Sequence, residues 1–309
     1  MKTFKQYLEN QDKSKSTVKH YSSYILDFLS FLDKDNTEAE NATAKEVLNY
    51  LNHLQNKGLE NKTRSIRLNV IKQFFNWQIE QKHRINNPIS HIKIRGIKKQ
   101  KLYPIFDKEA LEQIYTNYQI PTEQDKNSNC NWFKSSQLSK TRNKTILSLI
   151  INQGITTKEI EKLTLKDLKL KEGKIYIAGS RKSNERTLEL KSNQIIQLME
   201  YQYNIRVELL KYREADNQKL FLSTPTAGQR EAKDSLQIWK GLTKEIKKQE
   251  STFINFKQIR ASVIVGWLKQ YNLRQVQYMA GHKYVSSTEK YLINQTEDLQ
   301  ADIDNYHPF

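Results

Sequence analysis

At 309 residues, with 51 Lys+Arg against 34 Asp+Glu and a formal net charge of +17, the chain is long enough for two ordinary domains and is strongly basic. An apolar share of 37% with 10% aromatics can fill cores in domains of this size and excludes disorder throughout, while nine glycines and five prolines argue against a turn-dense sandwich or barrel. Clustered Lys and Arg release condensed counterions from phosphates, so the charge points to a polyanionic partner, nucleic acid ahead of an anionic membrane surface.

The opening Met1-Lys-Thr-Phe-Lys5 leads into polar sequence without the apolar core of a signal peptide. Residues 1–95 read as helices alone. Thr17 is placed to cap a helix whose Tyr21, Tyr24, Ile25, Phe28 and Leu32 share one face. Thr43-Ala-Lys-Glu46 is a capping box opening a second helix through Val47, Leu48, Leu51 and Leu54, stopped near Gly58. A third helix is expected to turn Ile66, Val70, Phe74 and Trp77 inward, with Arg64 and Arg67 near its start, and Asn87-Pro88 ends the last helical turn. His91–Ile105 then holds five basic residues (Lys93, Arg95, Lys98, Lys99, Lys101) and no acid. Taken alone, such a run is a solvated linker; between two basic domains it also has the character of a strap across a phosphate backbone.

A second block begins near Phe106 with a helix over Asp107–Tyr118. The polar stretch from Pro121 to Lys140 reads as a surface insertion; it contains the single cysteine, Cys130, which cannot form an internal disulfide and fits a reducing cytoplasm. The next helix, about Thr141–Gln153, carries Ile146, Leu149 and Ile150 and ends at Gly154. Its Ile146–Ile151 run, interrupted by Ser148, is the longest apolar stretch and falls far short of the ~18 residues that span a bilayer. Two short β-like runs, Lys174–Ala178 and Thr187–Leu190, flank a basic turn over Gly179–Arg186, and helices return from about Asn193. A Lys/Asn/Gln/Ile bias points to an AT-rich genome. The nine glycines form no phosphate loop or dinucleotide fingerprint, and the scattered histidines and lone cysteine form no zinc module, so the chemistry expected here uses no metal and no cofactor.

The last sixty residues gather the groups that suit phosphoryl transfer. Lys257-Gln-Ile-Arg260 sets two cations one helical turn apart. Gly281-His282 follows a helix starting near Asn272 and packing through Val276 and Met279, and nine residues later comes Tyr291 within Ser287-Thr288-Glu-Lys-Tyr291. Cations stabilise the extra charge of a phosphate in its transition state, an imidazole hydrogen-bonds it, and a phenol attacks it. Taken one at a time, the plainer readings prevail, Lys257 and Arg260 as a solvated helix face, His282 as a helix-end histidine and Tyr291 as amphipathic packing; order and spacing together reverse that.

In order and interval, Lys257-x-x-Arg260, Gly281-His282 and Ser287-Thr288-x-x-Tyr291 resemble the tyrosine recombinases, the phage integrase and Xer-type family. The resemblance covers nearly the whole chain. It implies a mainly α protein with a small β-sheet (α+β): a helical core-binding, SAM-like domain over 1–95, a basic linker over 96–105 and a mostly helical catalytic domain over 106–309. It further implies that Tyr291 attacks DNA to give a 3′-phosphotyrosyl link, that Arg260, Lys257 and His282 hold the phosphate, and that the hairpin turn presents the lysine that protonates the leaving 5′-oxygen. Lys182 is the first choice for that role and Arg181 the second. Arg64, Arg67, Lys98 and Lys99 are the weaker candidates for DNA contacts.

One position departs from the family pattern. The first family arginine falls on Thr156 in Gly154-Ile-Thr-Thr-Lys-Glu159-Ile160. Thr156-x-x-Glu159 makes a good capping box, but a hydroxyl supplies no guanidinium charge and no bidentate grip. Arg142 and Lys158 are nearby cations in sequence, neither at the family position.

The function implied is site-specific DNA recombination, from a mobile element or prophage, by a homotetramer on two DNA duplexes. It would act in the cytoplasm at the nucleoid, with accessory DNA-bending proteins as further partners and no membrane role. Two other readings stay open: a recombinase-like DNA-binding protein, architectural or regulatory, weakened in catalysis at Thr156, and a type IB topoisomerase sharing the covalent chemistry. The tail Asp298–Phe309, with Leu299, Ile303 and Phe309, is read either as a partner-docking segment or as a frayed acidic end.

Overall fold

The computed structural model describes residues 3–97, 103–122, 133–225, 236 and 238–292. The chain divides into two compact units, Met1–Lys101 and Leu102–Phe309. The described residues are mainly helical with one three-stranded antiparallel sheet, the α+β class expected from sequence. None of their helices is long and apolar enough to cross a membrane.

The first unit is a four-helix assembly: α1 (Phe4–Asn10), α2 (Lys15–Asp33), α3 (Ala44–Asn56) and α4 (Asn61–Glu80). Thr3 and Gln6 form a capping box that starts α1, a helix that apolar periodicity alone does not reveal. Ser14, not Thr17, caps α2; its hydroxyl accepts from the Thr17 amide at 3.2 Å. The Thr43–Glu46 capping box opens α3 as expected, and Gly58 turns the chain after it with φ +80°. Helix α4 packs against the other three. It therefore buries two adjacent rows, Leu68, Ile71 and Phe75 beside Val70 and Phe74. That geometry leaves Ile66 exposed, and Leu48 likewise faces outward from α3, both against expectation.

Helix α4 also ends earlier than Asn87-Pro88. Lys82 turns the chain at φ +63°, and Asn87 then ties the return segment to α4 through the Lys72 carbonyl at 3.0 Å. Lys72 Nζ donates to the carbonyls of Ser90 and Ile92, and Asn61 donates to those of Arg95 and Gly96. The run is thus fastened along α4 as far as Gly96; residues 98–102 lie outside the described set.

The second unit begins with Pro104 and Phe106 anchored to Gln258 and Ser262. Asp107 caps α5 (Lys108–Thr116). Helix α6 (Phe133–Gln153) starts eight residues before the position expected from sequence, so the second part of the presumed insertion is helical; residues 123–132 lie outside the described set. From Thr145 to Ile151 every side chain of α6 is buried, the signature of a helix enclosed on all sides. After α7 (Thr157–Ile160) come β1 (Leu168–Lys169), β2 (Lys174–Ile177) and β3 (Arg186–Glu189), with Ile175 opposite both Leu168 and Leu188. Strand β1, only two residues long, is too short to leave an alternating pattern in the sequence. Helix α8 (Ser192–Glu200) runs through a π turn into α9 (Arg206–Leu210), and α10 (Trp239–Gln249), α11 (Phe256–Leu268), α12 (Leu273–Ala280) and α13 (Ser286–Glu289) complete the unit. Helix α11 packs on α6, placing Ile259 and Val263 in the common core.

Candidate active site

Asn255 caps α11 by accepting from the amides of Lys257 and Gln258 at 2.9 and 3.3 Å, which fixes the origin and the phase of the helix. Lys257 in the first turn is exposed, and Arg260 one turn on is half-buried. The Arg260 guanidinium donates to the carbonyl of Gly154 and, at 2.5 Å, to that of Ala280. Gly154 closes the end of α6 with φ +57°, and Ala280 is the last residue of α12. Both carbonyls belong to helix C-termini, where unpaired oxygens carry partial negative charge. Arg260 is therefore held in place without a carboxylate of its own. Burial pulls its pKa downward, as does the charge of Arg186, against the pull of Glu159; a guanidinium remains protonated all the same.

The second wall is the turn after α12. Asn272 and Gln275 form the capping box that starts this helix, and Gly281 ends it in the left-handed region at φ +68°. A Cβ at Gly281 would collide with the Arg186 guanidinium, so both backbone and space demand glycine. His282 follows, with Nε2 3.5 Å from Arg260 and Nδ1 2.9 Å from Thr288 Oγ1. The imidazole and the Tyr291 ring are stacked, 9° from parallel with centroids 5.9 Å apart. Burial, then the charges of Arg260 and Arg186, push His282 down to about 4, so it is neutral near pH 7. Tyr291 packs on Ile264, Val276 and Ala280; burial raises its phenol while Arg260 opposes the rise.

The third wall joins Thr156 to the hairpin. The capping box expected there forms: Thr156 N and Oγ1 donate to Glu159 Oε2 at 2.9 and 2.8 Å. Glu159 also accepts both terminal nitrogens of Arg186, at 2.8 and 3.1 Å. Burial drives Glu159 up, but the hydrogen bonds and charge of Arg186 and the Thr156 amide outweigh it and hold the carboxyl at about 2. The Arg186 side chain is 0% exposed, although in sequence it looks only like the end of a polar turn. A signal is present, because Arg186 shares strand parity with the buried Leu188 and Leu190, and period two puts all three inside. The hairpin tip docks on the histidine turn, Asn184 N donating to the Gly281 carbonyl at 3.0 Å and Ser183 bridging to His282. Lys182 and Arg181 sit beside that bridge and are exposed.

Arg260, His282, Tyr291 and the hairpin thus meet at one place, with Lys257 on the neighbouring turn of α11. Other sequence candidates do something different. Arg142 is 2% exposed and donates to the Leu222 carbonyl and to Asn143, so it braces the core and supplies no substitute charge. In the first unit, Arg64 is buried and donates to the Leu51 carbonyl and Asn61 Oδ1. Arg67 pairs with Asp27, donates to Tyr50 Oη and lies over the Tyr24 ring. Both arginines thus join helices of their own unit. Lys98 and Lys99 lie outside the described residues.

Comparison with known proteins agrees with this geometry. The model of the phage integrase family matches residues 107–298, and that of the phage integrase N-terminal SAM-like domain matches residues 1–85. Tyrosine recombinase XerA of Pyrococcus furiosus is 23% identical over 94% of this chain and 88% of its own length. Tyrosine recombinase XerC of Bacillus subtilis is 24% identical over 100% and 96%. Among solved structures, XerH bound to a palindromic difH substrate in a post-cleavage complex superimposes with a TM-score of 0.65 at 19% identity, covering 94% of this chain and 80% of that one. The Tn1549 transposon integrase in complex with a circular intermediate DNA gives 0.64 at 13% identity, covering 96% and 98%. The likeness in structure is one of fold, and the family models and relatives carry the rest: this chain belongs to the phage integrase family of tyrosine recombinases.

Proposed function

We propose that this protein is a site-specific DNA recombinase that cuts and rejoins duplex DNA through a 3′-phosphotyrosyl intermediate on Tyr291. The observation that carries the reading is the stack of Tyr291 on His282 beside Arg260, a cation held by carbonyls and therefore able to meet an anion with its charge intact. Tyr291 attacks the scissile phosphorus and the bond to the 5′-oxygen breaks. Arg260 and Lys257 stabilise the non-bridging oxygens, and His282 adjoins them. Lys182 at the hairpin tip, or Arg181, protonates the leaving oxygen. The phosphodiester energy is kept in the tyrosyl link, so the reaction closes on a partner strand without ATP. Further parts of this reading are a homotetramer on two duplexes, accessory DNA-bending proteins, and action at the nucleoid in the cytoplasm on DNA of a mobile element.

A second reading rests on Thr156. Its hydroxyl and amide are committed to Glu159 and Arg142 is committed to the core, which leaves at that turn the exposed Lys158, an ammonium without the bidentate grip of the family arginine. This favours a DNA-binding protein weakened in catalysis, by roughly 10²–10³ in rate if one transition-state donor is lost. Covalent trapping on nicked suicide duplexes, made from the sequence flanking the gene, tests both readings. A covalent adduct with wild type that vanishes in Tyr291→Phe supports the recombinase; an adduct that persists in Tyr291→Phe overturns the assignment of the nucleophile. Specific binding with no wild-type adduct, and an adduct only from Thr156→Arg, establishes the second reading. Relaxation of any supercoiled plasmid without a specific site would instead mark a topoisomerase.

A further inference from the structure

Thr288 has no part in the cleavage steps, yet it touches both groups at their centre. Its side chain is 0% exposed, its hydroxyl lies 2.9 Å from His282 Nδ1, and its carbonyl accepts from the Tyr291 amide at 3.0 Å. On the far side of the imidazole stands Arg260, whose nitrogens are donors only. A ring nitrogen facing a guanidinium N–H takes the acceptor role. The bare nitrogen is then Nε2, the proton resides on Nδ1, and its acceptor is Thr288 Oγ1.

We propose that Thr288 is a positioning residue that locks His282 in the Nδ1–H form, leaving Nε2 as a proton acceptor beside Arg260 and Tyr291. The tautomer follows from the geometry of the free protein; its catalytic consequence rests on the recombinase reading. The consequence is an order of events. Neutral His282 offers the phosphate no hydrogen at Nε2, so it begins to donate there only after it has gained a proton. The stacked Tyr291 is the group that has one to give. An incoming phosphate draws the Arg260 N–H onto its own oxygens, which frees the Nε2 lone pair, and its negative charge makes the imidazole more basic; as the tyrosine oxygen bonds to phosphorus, the phenol proton then passes to Nε2, while the departing 5′-oxygen takes a proton from Lys182. Rejoining returns both. The charges around the ring agree with a neutral starting form: Arg260 from α11 and Arg186 from β3 oppose its protonation, against Glu159 from α7 alone.

Two measurements on the full-length protein test this. Long-range proton–nitrogen correlation spectra of histidine-labelled protein without DNA report which ring nitrogen is protonated, and the His282→Gln spectrum identifies the signal. Wild type and Thr288→Ser should show protonated Nδ1, whereas Thr288→Val, of equal size but with no acceptor, should shift His282 toward the Nε2–H form. On suicide duplexes, Thr288→Val should cleave about tenfold more slowly at unchanged DNA affinity, the scale of one lost hydrogen bond, and Thr288→Ser should stay within about twofold of wild type. A wild-type spectrum with protonated Nε2 overturns the proposal, as does a Thr288→Val protein with wild-type tautomer and rate. Protonated Nδ1 in a wild type that cleaves no DNA would uphold the tautomer and overturn the recombinase reading, so the two failures are distinct. Should Thr288→Val fail to fold, Thr288→Ala removes the same acceptor without adding bulk, and an unchanged tautomer and rate in it overturns the proposal equally.

Discussion

Arg67 in the first unit and Arg260 in the second are both partly withdrawn from water, and their partners differ in kind. Arg67 is matched by a carboxylate, Asp27, and a phenol, Tyr50, so its charge is neutralised inside its own four-helix unit. Arg260 is matched by two backbone carbonyls at helix ends, which orient a cation without cancelling it. Arg186, a few side chains away, follows the first pattern with Glu159. A guanidinium paired with a carboxylate acts as structure; one cradled by dipoles keeps its charge for an incoming anion.

The largest expected effect comes from removing the uncancelled charge. Arg260→Ala should lower cleavage of suicide duplexes by at least about 10²–10³, and Arg260→Lys should recover little of it, because one ammonium cannot span two carbonyls and a phosphate. Near-normal cleavage by Arg260→Ala would erase the distinction between the two kinds of arginine.

The paired arginine should instead register in stability. Arg186→Met leaves Glu159 buried without its partner and should cost about 3–5 kcal/mol of unfolding free energy, measured by urea denaturation. The same pair sets a pH signature. With the Glu159 carboxyl held at about 2, below its ordinary 4.5, the stabilisation is fully present above pH 4.5 and is lost as pH falls toward 2. Urea melts across pH 5 to 2 should therefore show a steeper loss for wild type than for Glu159→Gln. Parallel curves would mean that the pair has no share in acid stability.

The smallest effect sharpens the contrast from the other side. Arg67→Gln, at a partly exposed pair, should cost at most about 1 kcal/mol. It should also leave the salt dependence of DNA binding unchanged, whereas Lys98→Ala with Lys99→Ala should flatten the slope by about 0.9 for each phosphate no longer neutralised. A flattened slope for Arg67→Gln would place that residue in the DNA footprint.

What the sequence made legible was local. The capping boxes at Thr43–Glu46 and Thr156–Glu159, and the helix starts at Asp107 and near Asn272, lie where the sequence placed them, because a helix start is set by groups about three positions apart. The Arg260, Gly281-His282 and Tyr291 intervals led to one cluster of side chains, with Lys257 a turn away on α11. Long-range pairings stayed hidden. Arg186 reaches Glu159 across 27 residues, Arg67 reaches Asp27 across 40, and Arg260 finds Gly154 across 106. A periodicity cannot tell a basic residue that faces a phosphate from one that faces a carboxylate. Ile66 failed for a related reason: the side of α4 that is buried is decided by three neighbouring helices, not by the pattern of α4 itself.

The carbonyl cradle of Arg260 also has a bearing on how this protein tolerates change. Backbone carbonyls are supplied by every residue type, so side-chain replacement along most of α6 and α12 leaves the cradle's chemistry intact. Helix length is another matter. One inserted or deleted residue rotates a helix end by about 100°, since a turn takes 3.6 residues, and swings the carbonyl off the guanidinium. The burial of α6 already restrains its composition, and the cradle adds a separate constraint on residue count, so a library of single-residue insertions should find α6 and α12 among its least forgiving segments.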